Sequence, residues 1–292
     1  NARRLRSGKR LKHNIILAFV TSYEAPLSLA NDLLVELRRI IALPKGRSSD
    51  MTFSLMVEMF AAGQLAKMPG LLTGEHFNAA IITNTTPEDD QFLARTHLPY
   101  PVVLVNRAIA RYSGVIEDPE AGAQVAKMLL AAKRRHLAVL HGSPLTQSTR
   151  TRVDSFMRAV AEQQDGPPAE IVARGLSEPA AYDSMLRFLN QGHRLDGLYA
   201  VNDGMALAAY HAIKKKGLRI PRQVAVVGVG DYDISPYFDP PLTVIGVKRS
   251  QLGKEASRLL LRQLKNRELP PLQVEIPVEP IVRSSTTGVK GG

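Results

Sequence analysis

The chain has no cysteine and no tryptophan, few aromatic residues, and too few acids to balance its bases. Without cysteine there is no disulfide, thiolate nucleophile or thiolate metal ligand, which suits a reducing compartment. Long apolar runs are missing too: no stretch approaches the roughly 20 residues of a membrane helix. Ile15 to Val20 follows a basic segment, but six apolar residues are short for the core of a secretory leader. A cytoplasmic protein is expected. Signatures of catalysis are equally thin. Gly228-x-Gly230 lacks the third glycine and the helix start of a dinucleotide loop, and no phosphate-binding loop occurs. The seven histidines show no metal-ligand spacing. Asp89-Asp90 reads as a solvated helix face rather than a carboxylate pair. No enzyme, metal site or cofactor is expected.

What is present is ordinary soluble-protein material: 292 residues, 45% hydrophobic and 22% charged. That length can bury a large core, more readily as two lobes than as one. The net charge of +11 reads mostly as lysine and arginine scattered over solvated helices. Asn1 to Lys12 (NARRLRSGKRLK) differs, with six cations and no acid, a density suited to phosphate contacts or simply a flexible basic tail.

Along the chain, apolar strands alternate with amphipathic helices. Strands are predicted at Asn14 to Val20, Ala79 to Thr83, Val102 to Val105, around Val115-Ile116, at His136 to Leu140 and at Glu170 to Ala173. Helices are predicted at Ser28 to Ile41, Pro87 to Arg95, Pro119 to Lys133, Thr149 to Gln163 and Glu178 to Asn190. Met51 to Met59 fits either a strand or a helix. This βα alternation argues for parallel sheets with right-handed crossovers.

The stretch from Leu198 to Ala256 is the most informative. A strand ends at Asn202-Asp203, either of which can cap the next helix, with Asp203 favoured. That helix stops at Lys214-Lys215-Lys216-Gly217, with cations at the negative end of its dipole and glycine just beyond. A second strand, Val224 to Val229, completes a βαβ unit whose ligands would lie beyond the strand carboxyl ends.

The segment resembles the effector-binding core of the LacI/GalR family of bacterial transcription regulators. The resemblance is carried by N-D-x-M-A-L (Asn202 to Leu207), G-L-R-I-P (Gly217 to Pro221), V-A-V-V-G (Val224 to Gly228), P-P-L-T (Pro240 to Thr243) and L-G-K-E-A (Leu252 to Ala256). It implies an α/β, periplasmic-binding-protein-like type I fold. Two similar doubly wound parallel-sheet lobes would be joined by three crossover strands, with crossings near Pro119, Gly246 and Glu275. The implied organisation is 1–13 as the remnant of a hinge helix, 14–119 plus 246–275 as the first lobe, and 120–245 plus 276–288 as the second. The family's helix-turn-helix would lie before Asn1 and is missing from this sequence.

The resemblance also implies a small-molecule effector between the lobes, a homodimer, and operator DNA as partner of the missing reading head. N-A-R-R-L-R matches the end of the hinge helix, with Leu5 as the minor-groove wedge and Arg3, Arg4 and Arg6 as phosphate contacts. Implied effector contacts are Ser22 and Leu27 after the first strand, and Arg107. Arg152 in S-T-R-T-R-V-D-S-F matches the R-x-x-G-F arginine, with Ser155 in place of glycine. Asn202 matches a polar contact, and Asp203 follows it. Further on the sequence departs from the family. Gly230 stands where an aspartate is common, with the acid moved to Asp231; Val247 replaces a frequent glutamine, and Leu176 an aromatic. These departures suggest a smaller, more apolar or anionic effector, with Arg107 and Arg152 favouring a negative group. Candidate dimer surfaces are helices around Met59 to Met68 and Ala206 to Lys214, and the loop at Ile234 to Tyr237. A periplasmic solute-binding protein of a sugar transporter is the alternative. The basic hinge-like start and the ending P-I-V-R-S-S-T (Pro280 to Thr286) favour the regulator.

Overall fold

The computed structural model describes residues 13–23, 27–42, 51–164, 166–230, 234–247 and 251–287. Two six-stranded sheets organise them. The first takes β1 (His13–Ser22), β2 (Met51–Phe60), β3 (Ala79–Ile82), β4 (Val102–Val105), β5 (Ser113–Glu117) and β11 (Gln273–Ile276), in spatial order β11-β5-β4-β3-β1-β2. The second takes β6 (Leu137–Gly142), β7 (Ala169–Ala173), β8 (Gly197–Ala200), β9 (Ala225–Val229), β10 (Thr243–Gly246) and β12 (Glu279–Ile281), in order β12-β10-β9-β8-β6-β7. Every pairing is parallel except β10 with β12.

Helices α1 (Leu27–Ala42) and α2 (Pro87–Arg95) belong to the first lobe, together with α7 (Gln251–Lys265), which packs on β4 and β5. Helices α3 (Ala121–Ala131), α4 (Gln147–Ala161), α5 (Glu178–Asn190) and α6 (Asp203–Lys215) belong to the second. Because helices cover both faces, the central strands are continuous apolar runs: β3, β4, β8 and β10 are buried at every residue. The chain passes between lobes after Glu117, between Gly246 and Gln251, and between Ile276 and Glu279. Val247, half-buried at the second passage, packs against the cores of both lobes.

Local chemistry fixes the ends of the elements. Thr86 and Asp89 form a capping box ahead of Pro87, and Thr146 caps α4. At the end of α6, Leu218 N–H donates to the Ile213 carbonyl and Gly217 N–H to that of Lys214. This Schellman arrangement uses the positive φ of Gly217.

Three expectations need correction. Asn202, not Asp203, caps α6: its Oδ1 accepts the Met205 N–H at 2.7 Å, and Asp203 is the first helical residue. Met51 to Phe60 is a strand, and the segment to Met68 is not a helix but a strand end, a turn and a single 3-10 turn at Leu65–Lys67. Gly63, at φ +75, breaks the path there, and the Asp89 carboxylate accepts the Gly63 and Leu65 N–H groups. Finally, Asp89-Asp90 is no solvated face. Asp89 is 1% exposed in that network, and Asp90 pairs with Arg107 at 3.3 Å.

Candidate functional site

The carboxyl ends of the two sheets face each other, where ligands of parallel α/β sheets bind. Ser22 ends β1, Asn106 and Arg107 follow β4, and Glu117 ends β5. From the other lobe, Leu176 follows β7, Asn202 and Asp203 follow β8, and Gly230 follows β9. A cleft of about 120 Å³, partly open to solvent, lies at the junction of the two lobes. Asn106, Ala108, Ile116 and Glu117 form one wall; Gln147, Ser148, Thr151 and Arg152, on the first turns of α4, form the other. Pro119 lines it where the chain crosses.

An ion pair spans this cleft. Arg152 Nη1 donates to Glu117 Oε2 at 3.1 Å, with side chains 11% and 7% exposed, while Arg152 Nε donates to the Ser148 carbonyl. A second bridge runs from the Ala108 N–H to Gln147 Oε1 at 3.2 Å. Arg152 is placed by the close approach of α4 to α3. A Cβ at Gly122 would lie 1.8 Å from the Arg152 carbonyl oxygen, so that position admits no side chain. Ser155, on the same face, donates its hydroxyl to the Arg152 carbonyl. Beside the pair lies Tyr199, packed on Phe156 with ring centroids 5.1 Å apart. Its buried hydroxyl has no hydrogen-bond partner among the described residues. Burial pushes this phenol up to about 12, with Arg152 opposing and Glu117 adding to the shift.

Arg107 turns the other way. Its Nε donates to Thr85 Oγ1 at 2.7 Å, Nη1 to the Asn106 carbonyl and Nη2 to the Thr85 carbonyl, and Asp90 supplies the counter-charge. Burial lowers the guanidinium's pKa, with Asp90 acting against that shift; burial also raises the Asp90 carboxyl's. This arginine ties β4 to α2 inside the first lobe.

Of the residues implied by sequence, Arg152 lines the cleft itself. Ser22 is buried at the end of β1, and Leu27 opens α1. Asn202 spends its side-chain oxygen on capping, and Asp203 is buried behind it. Leu176 is half-buried and approaches Gly142. Gly230 has φ +81 and donates its N–H to the Ile245 carbonyl. A Cβ on the neighbouring Gly246 would come within 2.9 Å of the Gly230 Cα. Both the left-handed backbone and the close approach suit glycine where the family commonly has aspartate. Asp231 and the hinge residues Arg3, Arg4, Leu5 and Arg6 lie outside the described residues.

Sequence reasoning missed Asn106, Glu117 and Gln147. Asn106 sits at φ +58, with its Oδ1 accepting the Glu117 N–H, a conformation that only asparagine, aspartate and glycine adopt readily. The available signal was an asparagine directly after an apolar strand. Glu117 was legible only as the last residue of a strand, with nothing local to aim it at α4.

A family model of the periplasmic binding protein-like domain matches residues 126–286. The HTH-type transcriptional repressor PurR of Aliivibrio fischeri (strain MJ11) is 31% identical over 195 residues, covering 65% of this chain and 58% of that protein. The chain thus spans less than two thirds of that curated relative. Among solved structures, a LacI family transcription regulator from Clostridium acetobutylicum superposes with TM-score 0.80 at 19% identity, over 92% of this chain and 99% of that one. The transcriptional regulator CelR–cellobiose complex superposes with TM-score 0.77 at 19% identity, over 97% and 89%. These structural likenesses speak for the fold.

Proposed function

Because the chain belongs to the periplasmic-binding-protein-like domain family and carries a LacI-family regulator core, we propose that it is the ligand-sensing and dimerising part of a DNA-binding transcriptional regulator. A small-molecule effector binds between the lobes and changes operator affinity through the dimer. The observation that supports this reading best is the cleft between the carboxyl ends of two sheets, bridged by Arg152 and Glu117. A ligand bound there touches both lobes at once, so its binding energy depends on their relative position. A ligand shifts an equilibrium only by its differential affinity for the two states.

The same ion pair speaks to ligand class. Arg107 is consumed inside the first lobe, and Arg152 is balanced by Glu117, so the cleft carries no uncompensated cation among its lining residues. Asn106, Gln147, Ser148 and Thr151 add neutral donors and acceptors. This favours a neutral, hydroxyl-rich effector of the sugar type over an anion. It agrees with the cellobiose bound by the CelR regulator.

Dimerisation is proposed through the outer edge of the first sheet, where Val57 and Met59 of β2 are exposed, and through Leu207, Ile234 and Tyr237 on the second lobe.

The test is thermal unfolding against a panel of sugars, sugar acids, sugar phosphates and purines. A ligand that binds only the native state raises the midpoint with its concentration. A neutral sugar should give the largest shift, and Arg152→Ala should abolish it. A shift that survives Arg152→Ala would move the site elsewhere. A panel in which only anions act would overturn the ligand class.

A further inference from the structure

We propose that the end of the second lobe remote from the cleft is a binding surface for the phosphate backbone of nucleic acid. The topology assembles it. In sheet order β9, β8 and β6 are neighbours, and the loops that lead into them emerge together at the amino ends of the strands. The loops into β6 and β9 are basic, and the one into β8 adds an arginine beside Asp196. Arg134 and Arg135 precede β6, and Arg194 precedes β8; Lys215, Lys216, Arg219 and Arg222 precede β9. With strands about 4.8 Å apart, the three loops are brought within roughly 10 Å of one another.

The loops are also fastened into one surface. Arg134 donates from Nη2 to the Pro221 carbonyl at 2.7 Å and from Nη1 to that of Arg222, and Gln164 Nε2 donates to the Arg134 carbonyl. Asp196 spends its carboxylate on the Arg135 and His136 N–H groups, holding the β6 and β8 loops together. Lys214 pairs with Asp239 at 2.8 Å. Among the described residues, none of these seven cations, six in the loops and Lys215 at the end of α6, has a carboxylate partner.

Two plainer explanations fall short. Cations at helix C-termini are favoured by the dipole, which accounts for Lys215 and Lys216 at the end of α6. It does not account for Arg194, Arg219 and Arg222, which lie beyond the last turns and are exposed. A folded protein partner would be expected to find aromatic or aliphatic anchors. The large exposed apolar residues of the second lobe, such as Leu207 and Tyr237, lie outside these loops. What remains is a dense field of cations without anchors, the complement of a polyanion that carries about one charge per 1.7 Å of duplex axis.

This surface is separate from the basic Asn1 to Lys12 segment. That segment lies outside the described residues and precedes β1, which belongs to the first lobe, whereas these loops belong to the second. The proposal is independent of the effector reading.

The test is fluorescence anisotropy of a labelled random-sequence DNA duplex titrated with the full chain at low and moderate salt. Arg135→Glu/Arg194→Glu/Arg222→Glu should weaken binding at least ~10-fold and flatten the slope of log K against log salt by about 0.9 for each phosphate no longer neutralised. Arg3→Gln/Arg4→Gln/Arg6→Gln should leave part of the binding in place. The charge-reversed protein should melt within a few degrees of the parent. If it does not, Lys215→Gln/Lys216→Gln/Arg219→Gln carries the same test with milder changes. Binding unchanged within about twofold by either end variant, with all of it lost in the N-terminal one, would overturn the proposal. So would equal competition by polyglutamate or by phosphatidylserine vesicles, which would make the surface a generic polyanion or membrane site.

Discussion

Arg152 on α4 and Glu117 at the end of β5 close a buried ion pair between the two lobes at 3.1 Å. Removing one partner strands the other in a poorly solvated place, which costs about 3–5 kcal/mol in such pairs, whereas replacing both by apolar residues is often near neutral. Glu117→Gln keeps a weaker acceptor and should cost less, about 2 kcal/mol. The double variant Glu117→Leu/Arg152→Met should be more stable than the sum of the single changes predicts, and urea unfolding of the four proteins gives the coupling. Additive losses would mean that the two groups do not interact in solution.

Gly122 sets the depth at which Arg152 enters the cleft. Adding one methyl there collides with backbone atoms of α4, so Gly122→Ala should destabilise the chain by about 1–3 kcal/mol, as overpacking does. It should also push α4 outward. Ligand affinity should therefore fall by more than the stability change alone explains, as isothermal titration of the folded variant can read. An unchanged affinity would show that α4 is not what positions the site.

How far the sequence foretold this architecture depends on the range of the interactions involved. Helix α2 from Pro87 to Arg95 and α5 from Glu178 to Asn190 were predicted at their observed ends, because proline, acids and periodicity act within a turn or two. Strands such as Val102–Val105 announced themselves as short Val-rich runs. Met51–Phe60 did not, because a strand at the sheet edge has no local mark distinguishing it from a helix face. The cleft was half legible. Arg152 stood out by motif, yet its partner Glu117 lies 35 residues away on the other lobe, and only the tertiary fold joins them. The fate of Arg107 was hidden for the same reason: Asp90 and Thr85 reach it from a different βα unit.

Asn202 separates a capping role from a binding one. Its Oδ1 accepts the Met205 N–H, so Asn202→Ala should cost about 1 kcal/mol by loss of the cap. Serine caps helices about as well as asparagine, so Asn202→Ser should recover most of that stability. If the side chain also binds the effector through its amide, the ligand-induced midpoint shift should stay diminished in Asn202→Ser. Full recovery of both would assign Asn202 to structure alone.

The phenol of Tyr199 predicts an alkaline limit. Its folded value, near 12, lies above the ordinary 10 because burial disfavours the phenolate. Tyr100 and Tyr210 are raised in the same direction and for the same reason. A folded state that holds a proton more tightly than the unfolded chain loses stability as that proton becomes scarce. The contribution should thus be fully present below about pH 10 and fall as pH rises from there through about 12. Urea midpoints taken at increasing pH should trace that decline. Tyr199→Phe should make the decline shallower. The hydroxyl has no hydrogen-bond partner among the described residues, so at neutral pH the same change should leave stability unaltered or raise it by up to ~1 kcal/mol. A loss of more than about 1 kcal/mol at neutral pH would instead mean that the hydroxyl is satisfied in solution, and would place a polar partner beside the Arg152–Glu117 pair.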